Sequence, residues 1–178
     1  MAGHSFGCAV AVALTAARPD AGRALVLVSP PVFRDGADAR SRLGQRGWLA
    51  RRVLAGSPVA SVACNAMCLL RRPAASLLAR IEHGLPERVA RDAVQHTWPS
   101  YRDALIALLD DDPLPEAIEH PRLPTTVVVG DRDPETPAED VLNWPHEHVE
   151  VVLVESGDHL LPLASCRRDR SGIGARLL

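Results

Sequence analysis

The sequence predicts an α/β fold in which a parallel sheet is interrupted by one long helical insertion, and three observations carry that prediction. Residues 24–28, 125–129 and 149–154 are short, near-continuous apolar runs, each closed by turn residues, as strands covered on both faces of a parallel sheet read. The stretch between the first and second runs has helical periodicity and repeated helix-start signals. A helix start also follows the second run, so strands and helices alternate as in βαβ units. With 47% apolar and 24% charged residues over 178 positions, the composition is that of one globular domain rather than a disordered tail.

Taken in order, residues 6–17 are apolar apart from Thr15, and Arg18-Pro19 stops the pattern, which predicts a helix buried all round. The run 24–28 follows, ended by Ser29-Pro30-Pro31. In the insertion, Ser57-Pro58 sets a capping hydroxyl before a proline at the first helical position, and Pro73 and Pro86 open further helices. Ser100 with Asp103 predicts the cap of a helix over 101–109. The strand 125–129 is entered through Pro124 and closed by Gly130, and Thr136-Pro137-Ala138-Glu139 has the form of a capping box. The last run, 149–154, is closed by Glu155-Ser156-Gly157, and no internal repeat is present.

Twenty basic residues, all Arg, stand against 22 acidic ones for a net charge of −2, so no broad cationic face exists and nucleic acid is excluded as a partner. The pairs Arg51-Arg52, Arg71-Arg72 and Arg167-Arg168 read as solvated surface. No apolar run approaches the ~20 residues of a bilayer-spanning helix, so no membrane partner is expected. The apolar start lacks Lys or Arg before Arg18, hence the basic region of a signal peptide, and a cytoplasmic protein is expected. Cys8, Cys64, Cys68 and Cys166 fit no zinc spacing and read as free thiols. His83, His96, His120, His146 and His148 read as surface or insertion residues; no acidic cluster supports a metal site.

Chemistry is concentrated at three places. Gly3-His4-Ser5-Phe6-Gly7 has the pattern Gly-x-Ser-x-Gly directly before a helix. A serine nucleophile on a tight strand-to-helix turn is strained, and side chains two residues to either side, at Gly3 and Gly7, would collide with strand or helix. After the second strand comes Gly130-Asp131-Arg132-Asp133-Pro134, and after the third Ser156-Gly157-Asp158-His159. An acid and a histidine thus follow the serine, each beyond the C-terminal end of a parallel strand, where open α/β sheets hold their ligands. His159 would take the Ser5 proton and return it to the leaving group, while an aspartate holds its tautomer.

From Gly3 to about Leu163 the chain resembles the α/β-hydrolase superfamily, in the branch with a helical lid after the sixth strand, on the Gly-His-Ser-Phe-Gly elbow, Gly130-x-x-Asp133 and Gly157-Asp158-His159. The resemblance implies catalytic Ser5, Asp133 and His159, with Asp133 preferred over Asp131 as the last position of Gly-x-x-Asp. It also implies an oxyanion-hole amide at Phe6, and a substrate pocket drawing on His4 and on Trp98 and Tyr101 of the lid. It divides the chain into a core of residues 1–33 and 123–164, a lid of 34–122 and an atypical, disordered tail of 165–178. The implied activity is hydrolysis of a small ester, thioester or lactone through an acyl-serine, without cofactor or metal. C–C hydrolysis, acyl transfer and cofactor-free perhydrolysis on the same triad remain open. So does a non-catalytic remnant, because members of this family carry further strands and an oxyanion loop ahead of the elbow, whereas only Met1 and Ala2 precede Gly3. The expectation is therefore an incomplete, N-terminally truncated hydrolase fold, a parallel sheet remnant with the lid after its first visible strand, prone to self-associate through an exposed sheet edge.

Overall fold

A computed structural model describes residues 1–45, 48–81, 85–110, 112–144, 148–162 and 175–177. It divides into two compact units, residues 1–33 with 112–178 and residues 34–111.

The first unit is built on a sheet of five strands in the order β1-β2-β3-β4-β5: β1 (Ala2–His4), β2 (Leu25–Val28), β3 (Thr125–Gly130), β4 (Glu150–Val154) and β5 (Ala175–Leu177). The first four are parallel, and β5 runs antiparallel to β4. β1 and β5 are additions to the three strands expected. Three residues are too few to show a period, so β1 is set by its ladder, in which Gly3 stands opposite Leu27. Within the tail expected to be disordered, 175–177 form β5; the rest, with Cys166 and Arg167-Arg168, lies outside the described residues, as do His83 and His146.

Register explains the core. Gly3, Leu27, Val127 and Val151 stand side by side across the sheet, and all are buried. Leu25 and Val129 extend this face, and each such Val or Leu contributes roughly 1.5–3 kcal/mol on burial. Against the face pack Cys8, Ala9, Ala11 and Val12 from α1 (Gly7–Ala17), Leu114 and Ile118 from a later helix (Leu114–Glu119), and Val141 from a short one (Ala138–Leu142). The opposite face, with Val26, Val28, Val128 and Val152, is only half-buried, where the apolar runs predicted cover on both faces. Likewise α1 is buried on one side alone: Phe6, Val10 and Leu14, four residues apart, form an exposed stripe. Segment 112–122 lies with the sheet rather than with the insertion, because Leu114 and Ile118 are core residues.

The second unit holds six helices among its described residues: α2 (Gly36–Gln45), α3 (Trp48–Leu54), α4 (Pro58–Leu69), α5 (Arg71–Ile81), α6 (Glu87–Ala93) and α7 (Trp98–Asp110). Ser57 caps α4 as expected, its hydroxyl accepting from the Val59 N–H. Pro73 sits in the first turn of α5, and Pro86 immediately precedes α6. The start of α7 differs from expectation. Thr97 and Ser100 each accept the other's N–H through their hydroxyls, so the capping pair is Thr97 with Ser100 and the helix begins at Trp98. Arg40 of α2 pairs with Asp110 at the end of α7 at 2.6 Å. The interior is lined largely by small side chains, Ala39, Ala60, Cys64, Ala75 and Ala90. The helices following in the first unit are α8 (Leu114–Glu119) and α9 (Ala138–Leu142). Among the described residues, no helix is long and apolar enough to cross a membrane.

Candidate active site

Three side chains meet at the C-terminal edge of the sheet. Ser5 follows β1 directly, Asp133 lies in the turn after β3, and His159 in the loop after β4. His159 Nε2 is 3.0 Å from Ser5 Oγ, and His159 Nδ1 is 3.1 and 3.0 Å from the two Asp133 oxygens. An ionised carboxylate only accepts, so Nδ1 carries the hydrogen and Nε2 is left to accept from the serine hydroxyl.

Each member is held by its own local geometry. Ser5 has φ 52°, a left-handed conformation that a non-glycine residue adopts at a strain of about 1–3 kcal/mol. Its N–H bonds to the Val28 carbonyl at 2.9 Å and its carbonyl accepts from Cys8 N–H at 2.9 Å, tying the turn to both β2 and α1. Gly3 has no room for a side chain, since a Cβ would stand 2.4 Å from the Gly7 carbonyl oxygen. Gly7 differs from expectation: a Cβ there would meet nothing within 4 Å among the described residues. The Cys8 thiol beneath the turn is pushed up to about 12 by burial, so it is not a competing nucleophile.

Asp133 is 4% exposed. Burial by itself would raise its carboxyl, but hydrogen bonding from His159 and the Thr136 N–H outweighs that and holds it below its ordinary value. The Thr136 and Glu135 N–H groups donate to Oδ1 at 3.0 and 2.8 Å. Ser29 was not singled out by sequence reasoning. It is fully buried at φ 47° after β2, and its hydroxyl makes no hydrogen bond among the described residues. Thr136, expected to cap α9, instead donates its hydroxyl to the Pro30 carbonyl at 2.9 Å, and α9 has no side-chain cap. The acid and histidine loops touch through glycine: a Cβ on Gly130 would stand 2.3 Å from the Gly157 carbonyl oxygen, and Arg132 N–H bonds to that oxygen at 2.9 Å.

Of the remaining expected site residues, His4 reaches His159, its Nε2 2.6 Å from that residue's carbonyl oxygen. Phe6 is the N-cap of α1, its carbonyl accepting from the Ala9 N–H at 3.1 Å. Asp131 and Asp158 are exposed, and Asp158 caps the turn at Leu160 N–H. Trp98 and Tyr101 belong to the helical unit. Trp98 is half-buried, and Tyr101 is 42% exposed with its ring 5.1 Å from that of His96. Cys8, Cys64 and Cys68 are free thiols, and the Cys68 thiol donates to the His96 carbonyl. No group of three potential metal ligands lies together among the described residues.

No curated protein matches the chain. Among solved structures it is similar to the thioesterase domain of the curacin biosynthetic pathway, at 20% identity and TM-score 0.53, over 93% of this chain and 64% of that one. It is similar to a thermophilic esterase from Thermogutta terrifontis, at 17% identity and TM-score 0.56, over 94% and 60%. An esterase from Exiguobacterium antarcticum matches at 16% identity and TM-score 0.59, over 94% and 62%. The chain spans less than two thirds of the length of these structures, and its sheet is an incomplete form of their fold. Residues 1–170 match a family described as the alpha/beta hydrolase family. Because that match runs from the first strand through the loop bearing His159, it takes in all of the geometry just described, and the chain belongs to the alpha/beta hydrolase family.

Proposed function

We propose that the chain is a serine hydrolase that opens a small ester, thioester or lactone through an acyl-Ser5 intermediate. The observation that carries this is the unbroken hydrogen-bond path from Ser5 Oγ through the His159 ring to Asp133. In the forward step Ser5 Oγ bonds to the substrate carbonyl carbon while His159 Nε2 takes the hydroxyl proton. The imidazolium formed faces the Asp133 carboxylate, and its proton goes to the leaving group as that bond breaks. Water then attacks the acyl carbon, His159 takes the water proton, and Ser5 recovers a proton as the acid leaves. The Phe6 N–H is the oxyanion donor that follows the nucleophile. No cofactor or metal enters any step.

Fluorophosphonate labelling, with the modified residue identified by mass spectrometry, tests the reading. Label on Ser5 is expected in native protein and absent after heat denaturation or in Ser5→Ala. A second reading, a non-catalytic remnant that keeps the motif but does not assemble the site, is favoured by the uncovered face of α1. It predicts no label, under conditions where the probe labels a known serine hydrolase.

A further inference from the structure

We propose that His4 is a positioning residue that anchors the main chain of His159 to the nucleophile turn, an inference that rests on the acyl-serine reading. His4 ends β1, and its Nε2 lies 2.6 Å from the His159 carbonyl oxygen. The two rings lie with centroids 5.1 Å apart, inclined at 47°. A carbonyl oxygen can only accept, so His4 Nε2 is the donor and carries the hydrogen. β1 and β4 are not neighbours, for β2 and β3 lie between them. The bond therefore crosses the C-terminal edge of the sheet and joins the end of β1 to the loop after β4, two segments that share no strand pairing.

The chemistry gives this bond a purpose that the other contacts of His159 cannot serve. Among the described residues, three side chains hold His159 in the resting site: Asp133 at Nδ1, Ser5 at Nε2 and His4 at the main chain. Once Ser5 Oγ carries an acyl group it has no hydrogen to donate, and the imidazole loses that hold when it must next take a proton from water. Asp133 bonds at a single ring nitrogen and leaves the residue free to swing about that contact. The His4 bond involves no reacting atom and persists through both halves of the cycle. Its removal is expected to loosen the base most when Ser5 cannot bond to it.

Ser5→Ala reproduces that situation without turnover. The readout is the downfield proton resonance of the His159 Nδ1–H facing Asp133, assigned by its loss in His159→Gln. We expect the resonance to be sharp in Ser5→Ala, broadened or lost by faster solvent exchange when His4→Leu is added, and regained with His4→Gln, whose amide N–H can reach the same oxygen. An unchanged resonance in the folded Leu double variant overturns the proposal. If that variant fails to fold by circular dichroism, the Gln double variant decides alone: folded protein without the resonance overturns it. Failure of the native chain to label with fluorophosphonate would remove the acyl-serine reading but not this result, since the resonance needs no reaction.

Discussion

Asp133 and Asp112 have shifts of opposite sign, and each has a consequence for pH dependence. For Asp112, burial raises the carboxyl to about 6 against the opposing Leu114 N–H bond. An acid raised on folding holds its proton more tightly in the folded chain. Its contribution to stability is full below the ordinary value of 3.8 and is lost as pH rises toward about 6. Asp112→Asn keeps an acceptor for Leu114 and has no charge to bury, so it is expected to stabilise the fold at pH 7.5 by on the order of 1 kcal/mol after solvent screening, seen as a higher Tm. The gain should vanish near pH 4 in thermal melts; an equal gain at both pH values would refute the assignment. For Asp133 the sign is reversed, because partners outweigh burial: its contribution is present above 3.8 and lost as pH falls through its lowered value. Asp133 is thus ionised at neutral pH, as the proposed acyl-serine chemistry needs.

At the scale of elements, the elbow separates its two glycines. A Cβ at Gly3 would press on backbone atoms of Gly7 and Cys8, which have no flexible end to yield. Gly3→Ala is expected to cost about 1–3 kcal/mol and to abolish Ser5 labelling. Gly7→Ala has open space at the first residue of α1 and should be neutral or stabilise by about 0.4–1 kcal/mol, leaving labelling intact. Equal losses from both, measured by Tm and label yield, would show that the spacing rather than the contact matters. The candidate triad was legible in the sequence because Ser5 sits in a Gly-x-Ser-x-Gly turn before an apolar helix, while Asp133 and His159 follow strands that apolar runs reveal. What supports it was not. The Gly130–Gly157 contact joins the end of β3 to the loop after β4, and sequence marks both only as turn glycines. Thr136 had a local cap available, but Pro30 offered a buried carbonyl from a distant segment, and tertiary need prevailed. Ser29 looks like any residue ending a strand, since a positive φ at a serine leaves no trace in composition.

For the molecule as a whole, the uncovered surface is the distinctive property. The uniform apolarity of residues 6–17 predicted burial all round, yet Phe6, Val10 and Leu14 are 37%, 52% and 44% exposed beside the edge strand β1. Such a stripe, joined to an edge with free backbone groups, favours association. Sedimentation of the native chain is expected to show concentration-dependent oligomers. The double substitution Val10→Glu with Leu14→Lys, which also sets a favourable charge pair four residues apart, should shift it to monomer. Unaltered association would place the contact elsewhere. The strand register has a further consequence, for the order of assembly. β3 meets β4 across a short excursion, Thr126 opposite Glu150, whereas β2 meets β3 only after the helical unit has intervened, Leu25 opposite Thr125. Closing so long a loop is entropically costly until the intervening chain is compact. The β3–β4 pair is therefore expected to form early and the β2–β3 pair late. Ser5, carried on β1 beside β2, is then expected to join Asp133 and His159 at a late stage of folding.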